Sequence, residues 1–264
     1  MVWYHHCVLI LPVPTPIVRS GDDLVSLFAA SVALEDGDIL AVSSKAAAAA
    51  EGAVIDLATL TASAEAKAWD DRLQRPHRNP AFRQAILNET HRLNGELKEG
   101  CPMAMLAEVR PDGLPEGTIL SANAGLDLSN TPEGTAIGWP VDPVATARSI
   151  RIAFAERFGV QIGVLLTDSC CRPRRRGVTA IALTVSGFAP LMSEIGKPDL
   201  FGRPMQMTEE AVADQLATAA NAVMGNAAQS IPAAVIRDHG IALTPFDGWV
   251  PGIEPEEDLF KGAL

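Results

Sequence analysis

The segment Asp142–Ser169 constrains the fold more than any other stretch of the chain. Asp142-Pro143 marks a helix start, because a capping aspartate precedes a proline at the first helical position, where the missing N–H has no partner to lose. The helix is predicted to run to about Phe158 and to stop at Gly159, a residue that can take the left-handed turn of a helix end. Val160–Thr167 then reads as a buried apolar strand. It delivers a carboxylate, Asp168, and a hydroxyl, Ser169, at its carboxyl end, and strand ends are where sites collect in sheet-containing folds.

The remaining elements alternate irregularly around this pair. Val8–Leu11 is a strand candidate, followed by an extended run over Pro12–Pro16, since residues before prolines are pushed out of the helical region. Ser20 or Asp22 caps a predicted helix over Asp23–Leu34, Glu35–Asp38 is a turn, and Ile39–Ser43 is a strand. The alanine run Ala46–Ala50 reads as a tightly packed helical or loop segment. Helices are expected over Ser63–Leu73 and after Asn79-Pro80, with a surface loop over Gln74–Pro80 between them. Met103–Val109 and Val178–Val185 are strand candidates, Pro111–Gly117 is a turn, and Gly187–Arg203 is loop-rich. Thr208 is the expected cap of a second long helix, with Glu209 and Glu210 in its first turn and its end near Met224-Gly225. Pro232–Arg237 is a last strand, and the acidic tail Glu254–Leu264 is peripheral. The order argues for an α+β fold with mixed sheets and packed helices. Residues 1–264 read as a single unit; two interlocked subdomains are the alternative, with no boundary visible in the sequence.

Composition excludes several classes. The 264 residues include 48% hydrophobic and 20% charged side chains, ordinary for a globular protein. A formal net charge of −11 argues against nucleic-acid or anionic-membrane partners, both of which need a positive field. Nothing reaches membrane-span length, and Met1–Leu11 lacks the basic start of a signal peptide. Four cysteines do not make a disulfide framework or a zinc spacing, so a reducing cytoplasm is expected. Within this negative chain, Cys170–Gly177 places four arginines (Arg172, Arg174, Arg175 and Arg176) within five residues.

The candidate site combines that cluster with two carboxylates. Ser121–Asn130 is a turn of Asn, Gly, Asp and Ser residues, types that bend the chain and leave side-chain oxygens pointing outward. Asp127 from this loop and Asp168 from the strand supply oxygen ligands suited to a hard cation, and arginine forks grip phosphate oxygens in pairs. No Gly-rich phosphate loop, nucleophile elbow or zinc spacing is present, and His5, His6, His77, His91 and His239 have no local catalytic partners.

An ordered set of motifs carries a resemblance. Ser121–Asn130, Asp168-Ser-x-x-Arg-Pro-x-Arg175, Lys197–Arg203, Asn221-Ala-Val-Met-Gly225 and Glu257-Asp-Leu-Phe260 stand in this order, preceded by Pro16–Leu24, Asp36-Gly-Asp38 and Glu51-Gly52. Together they resemble the coenzyme F420 γ-glutamyl ligases. The resemblance implies a family-specific α+β fold, an intertwined homodimer, GTP as co-substrate and Mg2+ or Mn2+. It also implies transfer of L-glutamate to a phosphate-bearing deazaflavin acid. It makes Asp127, Asp168 and Ser169 metal ligands, with a last ligand in or near Asn226–Gln229. Asn130, Thr15, Pro16, Ile17, Val18, Ser44, Lys45, Met224, Gly225 and Asn226 become nucleotide contacts, with Arg172 and Arg175 holding anionic substrates.

The chain also departs from the family pattern. It carries Ala48-Ala49 for a Ser-Lys, Ala180 and Val144 for aspartates, Cys171–Arg175 for a Gly-Arg-Pro-Trp-Arg run, and Ser193–Gly196 for an Asp-x-Arg-Gly. Retained metal and phosphate chemistry with a changed second substrate is one implication. A non-catalytic nucleotide- or coenzyme-binding protein on the same scaffold is another, and a metal-dependent phosphohydrolase a third.

Overall fold

A computed structural model describes residues 7–75 and 77–262. His5 and His6 fall outside the described residues, as do Pro76 of the Gln74–Pro80 loop and the last two residues of the tail.

In chain order, β1 (Leu9–Val13), α1 (Leu24–Ser31), β2 (Ile39–Ser43), α2 (Ser44–Ala50) and β3 (Val54–Asp56) come first. Helices α3 (Ala64–Arg72) and α4 (Pro80–Arg92) are followed by short strands β4 (Glu96–Lys98), β5 (Leu106–Val109), β6 (Ile119–Ala122) and β7 (Thr135–Ile137). Helix α5 (Pro143–Phe158) leads into the long hairpin of β8 (Gly163–Cys171) and β9 (Val178–Phe188). The rest comprises β10 (Met192–Ser193), β11 (Glu209–Glu210), α6 (Val212–Met224), β12 (Ala233–Arg237) and β13 (Leu243–Trp249).

Six strands form one sheet in the order β1-β12-β2-β8-β9-β13. Within it β2 and β8 run parallel and every other pairing is antiparallel. The pleat sends Leu40 and Val42 of β2 into a core with Phe28 of α1 and Ile150 and Phe154 of α5. It sends Ile39 and Ala41 to the opposite face, against Leu216, Ala217 and Ala220 of α6. Helices on both faces explain why Ile39–Val42 of β2 are all apolar rather than alternating. A third core lies under α3, α4 and the β4-β5-β6 sheet, and it recruits Trp139, Leu183 and Trp249. The α+β expectation holds.

Where local signals are strong, the sequence reading is met. Asp142 Oδ1 accepts the Ala145 amide at 2.9 Å, and Gly159 closes α5 in the left-handed conformation at φ 74°. Four boundaries are corrected. Helix α1 is capped by Asp23, which accepts the Val25 and Ser26 amides, because Asp22 is taken up by the Arg19 amide at 2.7 Å. The same helix ends at Ser31, where β-branched Val32 turns extended at φ −145°. Strand β8 continues through Cys171, because β9 supplies antiparallel partners for Thr167–Cys171 after β2 has ended. Glu209 and Glu210 do not begin a helix: they pair with Ser193 and Met192, and the Pro190 carbonyl, rather than Thr208, receives the first-turn amide of Ala213 at 3.0 Å. Strands β3, β4, β6, β7, β10 and β13 have no counterpart in the sequence reading.

Asp23 gives a first expected outcome. The Ser26 hydroxyl, and then the Arg157 guanidinium, hold its carboxyl below the usual aspartate range. Asp23→Ala is expected to cost about 1 kcal/mol as a lost helix cap. A depressed folded-state pKa contributes stability that is present above about pH 4 and is lost as pH falls through the folded value. The melting-temperature gap between wild type and Asp23→Ala should therefore narrow in acid, and thermal melts across pH would check it.

Helices α3 and α4 are also clamped by charge. Asp70 Oδ1 accepts Arg83 Nε at 3.1 Å and the Asn79 amide at 3.0 Å, with the two side chains 2% and 7% exposed. Asp70 Oδ2 is buried with no partner among the described residues.

Candidate functional site

Strand register decides where the candidate residues fall. Val13 of β1 pairs with Ala233 of β12, and Ala233 pairs with Val42 of β2. Ser43 pairs with Thr167 of β8. The carboxyl ends of β1 and β2 and the start of β12 therefore share one edge of the sheet, and β8 crosses that line between Thr167 and Asp168. Thr15–Val18 leave β1 at this edge, and Ser44 and Lys45 leave β2. Asp168 and Ser169 ride β8 past it, and Met224, Gly225 and Asn226 lead toward β12. Stretches remote in sequence thus reach the region outside parallel strand ends where α/β sheets bind ligands.

Cross-links tie the loops together. The Thr15 amide donates to the Ser230 carbonyl at 3.0 Å, and the Ser43 amide to the Pro232 carbonyl at 2.8 Å. Asn130 Nδ2 donates to the Ala227 carbonyl at 3.4 Å, which brings the Asp127 loop to the segment after α6. Gln229 folds back over Gly225 and accepts the Ala227 amide at 2.8 Å.

Asp168 is the most heavily engaged of the candidates. Its Oδ2 accepts Lys45 Nζ at 2.8 Å and Trp139 Nε1 at 2.7 Å, while Oδ1 accepts the Ser169 amide at 2.9 Å. The Asp168 side chain is 12% exposed and that of Lys45 22%. A register shift against β9 falls between Leu166 and Thr167, one residue before Asp168, with Leu183 as the extra residue. Such a bulge re-aims a strand locally. Its freed polar groups are satisfied by other elements: the Ala182 amide donates to Asp214 Oδ1, and the Leu183 carbonyl accepts the Val250 amide.

Asp127 is exposed and organises its own loop. Its Oδ1 accepts the Leu128 and Ser129 amides at 2.7 and 2.9 Å, and its Oδ2 accepts the Ser129 hydroxyl at 2.6 Å. Its backbone pairs in both directions with Ile137. Trp139 stands two residues beyond Ile137 and bonds Asp168, so both aspartates are tied to the short segment Ile137–Trp139.

The arginines occupy the β8–β9 turn. Arg172, Arg175, Arg176, Gly177, Val178 and Thr179 line a shallow cleft of about 290 Å³. None of Arg172, Arg174, Arg175 and Arg176 forms an ion pair among the described residues, so the guanidinium groups are available to an anion. Burial pushes the neighbouring Cys170 thiol up, against the opposing pull of Arg172, which makes a thiolate nucleophile unsuited to this site. Burial likewise raises Asp214, with the Ala182 amide and Arg172 acting in the other direction.

Some candidates take other roles. Ile17 is exposed, and Val18 packs into the core beneath α1. Met224 is buried against the sheet by α6. Ser169 meets Asp168 through its amide, and its side chain is exposed. Asn226 is also exposed. Ser44 Oγ is fully buried with no partner among the described residues. Trp139 is a contact the sequence reading missed; its one local signal is a bulky indole between Gly138 and Pro140.

The donor set fits a hard divalent cation. No group of three His, Cys, Asp or Glu side chains suited to a metal is found among the described residues. Mg2+, however, is commonly held by one or two carboxylates together with substrate phosphates. Asp127 and Asp168 are the carboxylates that would take part in such a site.

Among the departures from the expected pattern, Ala48 and Ala180 are fully buried and Val144 packs on the third core, whereas Ala49 is half-buried and Cys171–Arg175 are exposed.

Comparison with known proteins points to one family. The model of the F420-0:gamma-glutamyl ligase family matches residues 12–238. Coenzyme F420:L-glutamate ligase from Methanopyrus kandleri is 37% identical over 94% of this chain and 89% of its own length. The proteins of that name from Archaeoglobus fulgidus and Methanothermobacter thermautotrophicus are 35% and 34% identical, each over 94% of this chain and over 94% and 96% of their own lengths. The chain, in which Lys45 and Trp139 meet Asp168 at one end of the main sheet, belongs to the F420-0:gamma-glutamyl ligase family.

Proposed function

We propose that this protein is a nucleotide-dependent amide ligase that joins L-glutamate to a phosphate-bearing deazaflavin acid, with GTP as co-substrate and Mg2+ or Mn2+ as cofactor. The observation that carries the reading is the meeting of Lys45 and Asp168 where the loops after β1 and β2 and before β12 reach one sheet edge, beside an unpaired arginine turn.

A carboxylate is a poor electrophile and must be activated. Its oxygen attacks the γ-phosphorus, the bond to the β,γ-bridging oxygen breaks, and GDP leaves. The glutamate amine then attacks the acyl carbon of the acyl phosphate, the carbon–oxygen bond to phosphate breaks, and the amine gives up a proton. A bound divalent cation would neutralise charge on the phosphoryl oxygens, with Asp127 and Asp168 as its carboxylates. Lys45 supplies a positive charge at the phosphate end of the site. Arg172 and Arg175 hold the anionic acid, where positioning accounts for much of the rate.

The buried alanines at 48 and 180 favour a second reading, in which a divergent paralogue on this scaffold ligates another acid or amino acid, or binds nucleotide or coenzyme without turnover. A homodimer is also proposed. It is supported by the arm between β10 and β11, where Leu200, Phe201 and Met207 stand exposed as an apolar surface. No helix among the described residues is long and apolar enough to cross a membrane.

The test combines purified protein, GTP, Mg2+, deazaflavin acid and L-glutamate, with product read by mass spectrometry and phosphate release in parallel. One phosphate per amide formed supports the reading. Phosphate release that no amine stimulates points to a phosphohydrolase, and binding without product points to the non-catalytic alternative.

A further inference from the structure

We propose that Trp139 is a positioning residue, fixing the direction in which the Asp168 carboxylate faces an incoming divalent cation. This rests on the reading of Asp168 as a cation ligand. Two donors converge on Asp168 Oδ2, Lys45 Nζ at 2.8 Å and Trp139 Nε1 at 2.7 Å, and they differ in kind. The lysine head sits on a flexible four-carbon stem and carries charge, so it competes with a cation and is free to swing away. The indole N–H is uncharged, donor-only and immobile.

Its immobility comes from packing. Trp139 is 3% exposed and stacks at a tilt on Trp249 with ring centroids 6.1 Å apart. On another side the indole lies so close to Gly125 that a Cβ there would stand 2.6 Å from Nε1. Gly125 belongs to the loop that carries Asp127. One rigid ring therefore abuts the first aspartate's loop and bonds the second aspartate directly. Hydrogen bonds to a ligating carboxylate set its orientation, and their loss typically weakens metal binding by about 10- to 100-fold.

The test measures Mn2+ affinity by electron paramagnetic resonance in wild type, Trp139→Phe and Asp168→Asn. A fourth protein carries benzothienylalanine at 139, which keeps the two-ring shape and lacks the N–H. Trp139→Phe and the isosteric analogue are expected to bind Mn2+ about 10- to 100-fold more weakly, with unchanged melting temperature for the analogue. In wild type, the Trp139 indole N–H resonance shifts on addition of Mg2+, and in Asp168→Asn it stays fixed. Wild-type Mn2+ affinity in the analogue, alongside weakened binding in Asp168→Asn, overturns the positioning role and leaves Asp168 as ligand. Unchanged affinity in Asp168→Asn overturns both.

Discussion

Asp168→Asn is expected to lower amide formation by a factor on the order of 100 to 1,000, the scale on which preorganised electrostatic groups act in a water-poor site. An asparagine has nearly the same volume, and its carbonyl oxygen can still accept the Trp139 N–H. What it cannot supply is charge, either to a cation or to Lys45, whose side chain is only 22% exposed. The defect should therefore appear in kcat rather than in folding. Turnover measured beside a thermal melt separates the two. Wild-type turnover in this variant would remove Asp168 from the chemistry altogether.

The second large effect concerns stability. Arg83→Leu leaves the Asp70 carboxylate buried; among the described residues Oδ2 is already unpartnered and Oδ1 retains only the Asn79 amide. Removing one member of a buried ion pair costs roughly 3–5 kcal/mol, because the surviving charge keeps its desolvation penalty and loses its compensation. For a chain of this length the melting temperature should fall by on the order of 10 °C. Arg83→Leu/Asp70→Leu is expected to recover much of the loss, since no uncompensated charge remains. A double variant no more stable than Arg83→Leu alone would contradict that account.

How legible each feature was depends on how local its cause is. Asp142, Pro143 and Gly159 determine α5 from within a few residues, and its limits could be read directly. Strand β2 is an unbroken apolar run and was equally plain. Glu209 and Glu210 misled because Thr208 followed by two acids imitates a helix start, while pairing with Met192 and Ser193 is a distant event. Strand β13 carries Pro245, Asp247 and Gly248, which break any alternation, and it exists because β9 offers it an edge. At the site, Asp127 and Asp168 were visible as oxygen donors, and Lys45 as a cation. Their relation was not visible: the Lys45–Asp168 contact spans 123 positions, and Trp139 has no local pattern announcing its bond to a carboxylate.

The lone parallel pairing in the main sheet has a kinetic consequence. Strands β2 and β8 are joined through everything from residue 44 to residue 162, including most of the third core, whereas β8 and β9 are joined by a short turn. Closing so long a loop is entropically demanding, and contacts of high sequence separation form late. The hairpin can therefore assemble well before β2 docks alongside it. The end of the sheet where Lys45 meets Asp168 is therefore expected to form only once β2 docks, and a nascent chain stalled before that stage would hold the proposed site residues apart.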